Sequence, residues 1–468
     1  MLFKIALRNI LRNRRRSTMT ISAIAVGAMA MLLFGAFTTF VILGIRTTTI
    51  DSAGHLTVLR TGYFAFGTGN PSAYGIPDYE AVMKTISDDP EIGPKLAVIT
   101  PSISLFGIAG NFSADSSRTF IGSGVVPSDR KRMREWNEYH LGGGRRLTRP
   151  PSPLSDDDIT KGVIGLGLAR TLSLCAPLHV ADCPAAPEKK TAAVAGAAPA
   201  PDLADLTAQD TKGDASANDN GMPRIDLLSA TAGGAPNVVT ISVAGTEQQP
   251  AKELDDGFVG MHLKLAQQLV YGRGEHKVTS IVLQLKKTED MAAVRTRLEA
   301  LFKDKGLDLE VHDFTEFNPM YKQIVQFFGA IFSFIALIMI VIVLFTVVNT
   351  MSMSVMERTN EIGTTRALGV RRSGIRRQFL AEGWLLGFLG ATLGVILAAI
   401  IAAIVNHAGL TWQPPGQSGH VPLYLYLAGA HGLIIATWVI LVVVATIAAL
   451  VPASRAARMA VVDALRHV

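Results

Sequence analysis

The chain has 468 residues, 49% of them apolar, a formal net charge of +6 and 18% charged residues, against about 25% charged in an average soluble domain. Its mean hydropathy of +0.32 sets it outside the water-soluble class and predicts several membrane spans with a sizeable aqueous part. The basic excess sits beside apolar runs, which fits anionic headgroups and cytoplasmic loops better than nucleic acid.

Residues 1–16 predict an interfacial amphipathic helix. Lys4, Arg8 and Arg12 recur every four residues, with Phe3, Leu7, Ile10 and Leu11 on another side. The basic face would meet membrane lipid headgroups and the apolar face the acyl boundary. Residues 17–45 are free of charge and form the first predicted span. Ala-x-Ala pairs at Ala23 and Ala28 raise a cleaved signal peptide as a rival, but the run is too long for a signal h-region. As one helix it measures roughly 42 Å at 1.5 Å per residue, so it is expected to continue past the bilayer as a stalk.

Residues 46–320 read as one large α+β domain. VVTISVAG (238–245), TSIVLQLK (279–286) and LDLEVHDF are rich in β-branched residues and predict strands. MHLKLAQQLV and EDMAAVRTRLEALFKDK (289–305) predict helices, so the natural packing is a strand–helix–strand series over one sheet. TFIGSGVV and GVIGLGLARTL read as strands leading into a turn or helix. Asp156, Asp157 and Asp158 predict a solvated helix cap. GGGRR (142–146) reads as a flexible turn, and residues 184–221, without an aromatic, as a disordered insertion.

Three further apolar segments are long enough for a bilayer of about 30 Å: 321–350, 383–405 and 425–450, joined by a 351–382 loop and a short 406–424 connection. Arginines crowd residues 1–16, the 357–382 stretch and the 451–468 tail, whereas the short connection has neither Lys nor Arg. Both termini and the 351–382 loop are therefore expected on the cytoplasmic side, with 46–320 across the membrane.

No covalent chemistry is legible. The chain has no Gly-Lys pair and hence no phosphate-binding Walker loop. GLGLAR (165–170) has too few glycines for a dinucleotide fingerprint and reads as a strand–turn–helix joint. Cys175, His179 and Cys183 lack a fourth ligand for zinc; a disulfide between Cys175 and Cys183 on an oxidising outer side is the expectation, with no metal site.

The 351–382 loop carries the most information. Glu357-Arg358-Thr359-x-Glu361-Ile362-Gly363, then Arg366-Ala367-Leu368-Gly369, resembles the loop after the second helix in the MacB/FtsX/LolCE-type ABC transporter permeases. PASRAARMAVVDALRHV and ALRNILRNRRRS are similar to that family's two ends, and GSGVVPSD and VIGLGLARTL to pieces of its periplasmic core domain. The resemblance implies a multi-pass permease of the bacterial inner membrane that relays the ATP-driven motion of a separate ABC ATPase to its outer domain. ATP and Mg would be bound by that partner, and this chain would be a non-enzymatic subunit without a cofactor. It would pair with a second copy or a sister permease, and its cargo would be a lipoprotein or another lipid-like molecule, with a periplasmic adaptor or acceptor beyond. Tripartite efflux of hydrophobic molecules and signalling to a periplasmic hydrolase are the alternatives.

The expected docking segment comprises Met356, Glu357, Arg358, Glu361, Ile362, Gly363, Arg366, Leu368 and Gly369. Met356, Ile362 and Leu368 are apolar at roughly helical spacings and would seat in an ATPase groove. The charges would face water or the partner and fix register, and Gly363 and Gly369 would let the backbone change direction. Glu382 is expected to open the third span, where an acid suits a helix N-terminus, and to pair with nearby arginines. Two long acyl chains cost on the order of 25 kcal/mol to expose at about 0.8 kcal/mol per CH₂. Lipid-like cargo would therefore pass between apolar helix surfaces.

Overall fold

The computed structural model describes residues 2–141, 152–180, 183, 221–249, 251–272, 274–412 and 421–459. The GGGRR turn, nearly all of the 184–221 insertion, residues 413–420 of the short connection and the tail after 459 lie outside the described residues, as do the side chains of Phe3 and Lys4. The chain divides into two compact units: Met1–Ile45 with Met320–Trp412 and Pro422–Val468, and Arg46–Pro319 with Gln413–Val421.

Among the described residues, four helical stretches are long and apolar enough to cross a membrane: Arg14–Ala53, Pro319–Glu357, Arg372–Ala408 and His431–Arg458. The last consists of His431–Ala448 followed by Leu450–Arg458. A separate N-terminal helix covers Leu2–Arg12. The first three outrun the spans expected at 17–45, 321–350 and 383–405. Bilayer thickness limits an apolar run, but the hydrogen-bond ladder continues through flanking Arg, Gln and Met, which favour helix almost as well as Ala. The 351–382 loop is accordingly short. Residues 351–357 finish the second long helix, and 372–382 begin the third.

The fourth helix starts later than expected. Asn406 donates to the Leu425 carbonyl (3.1 Å) and accepts from its N–H (2.8 Å), which gives that backbone non-helical partners. Close helix contact depends on glycine. A Cβ on Gly387 would stand 2.7 Å from Ala445 Cβ, and one on Gly394 2.7 Å from the Ala25 carbonyl oxygen. The third helix therefore lies backbone-close to the fourth at one level and to the first at another. The second helix buries a single stripe, Val343, Val347, Met351 and Val355, at four-residue spacing. Phe334 and Phe345 stand exposed on its other faces, as a lipid-facing helix requires.

The second unit holds a nine-stranded mixed sheet. Its strands are β1 (Leu56–Arg60), β2 (Leu96–Asn111), β3 (Ser116–Val125), β4 (Lys161–Ile164), β5 (Arg224–Ala230), β6 (Pro236–Thr246), β7 (Phe258–His262), β8 (Ser280–Leu285) and β9 (Leu309–Asp313). They run in the order β3-β7-β4-β6-β5-β2-β8-β1-β9, with β2 also pairing β3. The β3–β7 and β4–β6 pairs are parallel. All six residues of β8 are buried, Ser280 and Gln284 among them, as in a strand covered on both faces. The core gathers Leu56, Ile103, Phe120, Ile164, Leu283 and Leu298. β1 pairs antiparallel with β9 from Leu56↔Asp313 to Arg60↔Leu309, so the first strand after the first long helix lies beside the last strand before the second.

Two local expectations change. In MHLKLAQQLV, Met261 and His262 complete β7, and the helix is Leu263–Tyr271. His262 Nδ1 accepts the Lys264 N–H at 3.1 Å and so caps that helix. Asp156 to Asp158 cap no helix of their own, because the Lys161–Ile164 run that follows enters the sheet. Asp156 instead accepts the Ser128 N–H (3.0 Å) at the start of helix Pro127–Arg134, and Asp158 accepts from Thr160 (3.1 Å). Cys175 and Cys183 are joined in a disulfide with Cα atoms 6.2 Å apart.

Candidate functional site

Between the second and third long helices the chain makes one short helix, Thr359–Ala367. Thr359 Oγ1 bonds the carbonyls of Val355 (3.3 Å) and Met356 (2.8 Å), which turns the chain away from the helix ending at Glu357. Gly369 ends the segment in the left-handed region, φ +91°, where a side chain would be strained. Gly363 lies buried within the short helix. The expected change of direction therefore belongs to Gly369 alone.

The charged residues of this segment are engaged by other groups of the same chain, the two acids at the water-exposed surface and Arg358 largely buried. Arg358 donates to Glu382 (3.0 Å) and Glu361 (3.1 Å), and its guanidinium carbon lies 5.5 Å from the Phe379 ring centroid. Glu382 also accepts from Asn9 Nδ2 at 2.6 Å. Glu357 is held by Arg16 (2.6 Å) and Asn13 (3.0 Å), and Arg12 reaches Glu361 at 2.7 Å. Arg366 donates to the carbonyls of Ala457 (3.2 Å) and Met459 (2.5 Å). Partial burial acts to raise the Glu361 carboxyl, but the hydrogen bonds and charges of Arg358 and Arg12 outweigh it and hold the group below the usual carboxylate range.

Several expectations are thereby corrected. Glu382 lies buried well inside helix Arg372–Ala408, not at its N-terminus, because the helix begins back at Arg372. What stabilises its charge is Arg358, not a helix end. Arg358 is 11% exposed at its side chain, so it cannot face a partner. Ile362 is buried in the core with Ile10, Ile375 and Phe379. Of the expected apolar anchors only Met356 (70% exposed) and Leu368 (82%) present themselves outward.

The basic face of the N-terminal helix divides in the same way. Arg8 is exposed, whereas Arg12 is committed to Glu361. Ile10 is buried against protein, while Leu7 and Leu11 remain exposed. Sequence reasoning missed Asn9, Asn13 and Arg16. Their spacing of four and three residues, matching Arg12 on one helical side, was the available signal.

In the second unit a cleft of about 590 Å³ is lined by Tyr79, Met83, Asp156, His262, Leu263 and His276. His262 and Asp156 are the two helix caps described above, and among the described residues no nucleophile is paired with a base there. Among the described residues no group of three or more His, Cys, Asp or Glu side chains converges on a metal position.

Residues 333–461 match the family described as FtsX-like permease C-terminal. Against a protein described as "Macrolide export ATP-binding/permease protein MacB" from Bdellovibrio bacteriovorus, 202 residues align at 25% identity, 42% of this chain and 29% of the relative. A protein of the same description from Escherichia coli aligns over 122 residues at 32%, 26% of this chain and 19% of the relative. "ABC transporter permease YtrF" from Bacillus subtilis aligns over 137 residues at 36%, 29% of this chain and 31% of the relative. The chain thus matches less than a third of the length of each of these proteins.

Proposed function

We propose that the chain is a MacB/FtsX-type permease of an ABC transporter, a non-catalytic membrane subunit driven by a separate ABC ATPase; the FtsX-like match over residues 333–461 and the similarity to permease-bearing relatives support this reading. Arginine placement sets both termini and the Thr359–Ala367 helix in the cytoplasm, and Arg46–Pro319 in the periplasm of the bacterial inner membrane. The ATPase docks on Met356 and Leu368. The observation that carries this is the division of labour in the segment: every acid and Arg358 are engaged within the chain, while two large apolar side chains stay exposed.

ATP-driven closure of two such assemblies moves the long helices and through them the outer unit. A cargo of lipoprotein or lipid-like chemistry leaves the membrane along the apolar helix faces, helped by an adaptor or acceptor outside. Export of a hydrophobic small molecule is the second reading, favoured by the macrolide-export description of two relatives.

The test is Leu368→Asp, alone and with Met356→Asp, in chain purified with the ATPase that accompanies it. Loss of co-purification and of ATPase stimulation, with unchanged chain stability, is the expected result. Full stimulation in the double variant would remove the docking claim.

A further inference from the structure

The first and second long helices are bonded to each other near one end, and the bonds climb in register. Glu357, the last residue of the second helix, takes two donors from the start of the first, Asn13 Nδ2 (3.0 Å) and Arg16 Nη2 (2.6 Å). About one turn further along the first helix and two along the second, Thr20 Oγ1 meets Thr350 Oγ1 at 2.7 Å, and Thr20 is fully buried. Beyond it Ile24, Ala28 and Met31 share a core with Val343, Val347 and Met351. Positions 16 and 20 on one helix, with Asn13 in the turn just before it, and 357 and 350 on the other, fall on one side of each helix at spacings of four and seven.

Apolar packing alone would leave this pair free to slide, because it is non-directional. In hydrocarbon the hydrophobic drive between helices is also missing, which leaves packing and hydrogen bonds to hold the pair. Directional bonds at the end of the pair remove that freedom, and an Arg–carboxylate contact is among the stronger of them.

We infer that Asn13, Arg16 and Thr20 are positioning residues that clasp the first long helix to the second, so that displacement of the Met356–Leu368 segment moves both helices together. The direction of this relay rests on the docking reading above; the clasp itself does not. Arg16 is the principal member, since it forms an ion pair with Glu357 whereas Asn13 brings only a neutral donor to the same carboxylate. Without the clasp, a pull on Glu357 is passed to the second helix alone, and the first long helix receives it only through side-chain contacts.

The experiment uses the full chain in lipid nanodiscs. Both native cysteines are in the disulfide, so Met19→Cys and Met353→Cys, at exposed positions on the two helices, accept spin labels selectively. Pulsed electron–electron distances are measured in the parent, in Arg16→Gln with Thr20→Val, in Glu357→Gln, and in the charge exchange Arg16→Glu with Glu357→Arg. The parent gives one narrow distance, Arg16→Gln with Thr20→Val and Glu357→Gln broaden or shift it, and the exchange restores it. An unchanged distribution in Arg16→Gln with Thr20→Val overturns the inference, as does failure of the exchange to restore a protein of normal helix content.

Co-purification of the ATPase is scored on the same samples. Broadened distances with retained ATPase and lost stimulation support clasp and docking together. If no variant, nor the parent, brings down an ATPase, the docking reading fails while the distances still decide the clasp.

Discussion

Replacing either member of the Arg358–Glu382 pair tests how the docking segment is anchored. Their side chains are 11% and 4% exposed and 3.0 Å apart. A pair of charges at about 4 Å is worth roughly 4 kcal/mol at an effective dielectric of 20, and stranding one member of a buried pair costs about 3–5 kcal/mol. The two strandings are unequal. Glu382→Gln leaves Arg358 with Glu361 at 3.1 Å, a half-exposed acid worth at most about 1 kcal/mol. Arg358→Gln leaves the Glu382 carboxylate with Asn9 as its neutral donor. Glu382→Gln should therefore cost about 3 kcal/mol and Arg358→Gln about 4–5 kcal/mol. The double variant should fall short of the sum by about 2 kcal/mol or more, because both charges leave together. The assay is SDS-driven unfolding in mixed micelles, followed by circular dichroism. Additive single costs, or a larger cost for Glu382→Gln, would refute the assignment of the pair as the anchor.

Other consequences are open to measurement. His55 is fully buried; its Nδ1 accepts the Leu285 N–H at 3.0 Å and its ring meets Trp136 edge-on at 5.0 Å. Burial, with the nearby Arg46 charge, lowers its pKa from 6.5 to about 4. The folded state thus binds fewer protons than the unfolded one, so the neutral ring's stabilisation is complete above 6.5 and lost as pH falls towards 4. Such a shift corresponds to roughly 3 kcal/mol. Melting curves between about pH 7 and pH 4.5 should show this slope in the parent and a flatter one in His55→Gln. Gly394→Val should lower thermal stability in detergent by about 1–3 kcal/mol through overpacking against the first helix. Asp156→Ala removes a cap from helix Pro127–Arg134 and should cost about 1 kcal/mol, visible as faster amide exchange at Ser128.

The sequence made the long helices legible because an uncharged run of about 20 residues has few other uses. It also marked the strand–turn–helix joint at GLGLAR, where Gly165 closes β4 and the helix Leu166–Thr171 follows. Helix limits were not legible, since apolar composition stops at the bilayer and backbone hydrogen bonding does not. The partners of Glu382 were hidden for another reason. Asn9 is 373 positions away, and no local spacing rule connects them. Arginines that obey the positive-inside rule look alike in sequence. Only their placement separates Arg358, Arg12 and Arg16, which hold acids, from the exposed Arg371 and Arg372.

The β1–β9 pairing has an evolutionary consequence. The first and last strands of the insert stand side by side, with Leu56 and Asp313 about 5 Å apart as paired residues, so both of its ends are fixed by one short ladder. Arg46–Pro319 is therefore an exchangeable cassette. Exchange of this unit is expected to be tolerated where the two neighbouring strands are kept. Chimeras joined at Leu56 and Asp313 are the natural way to transplant it.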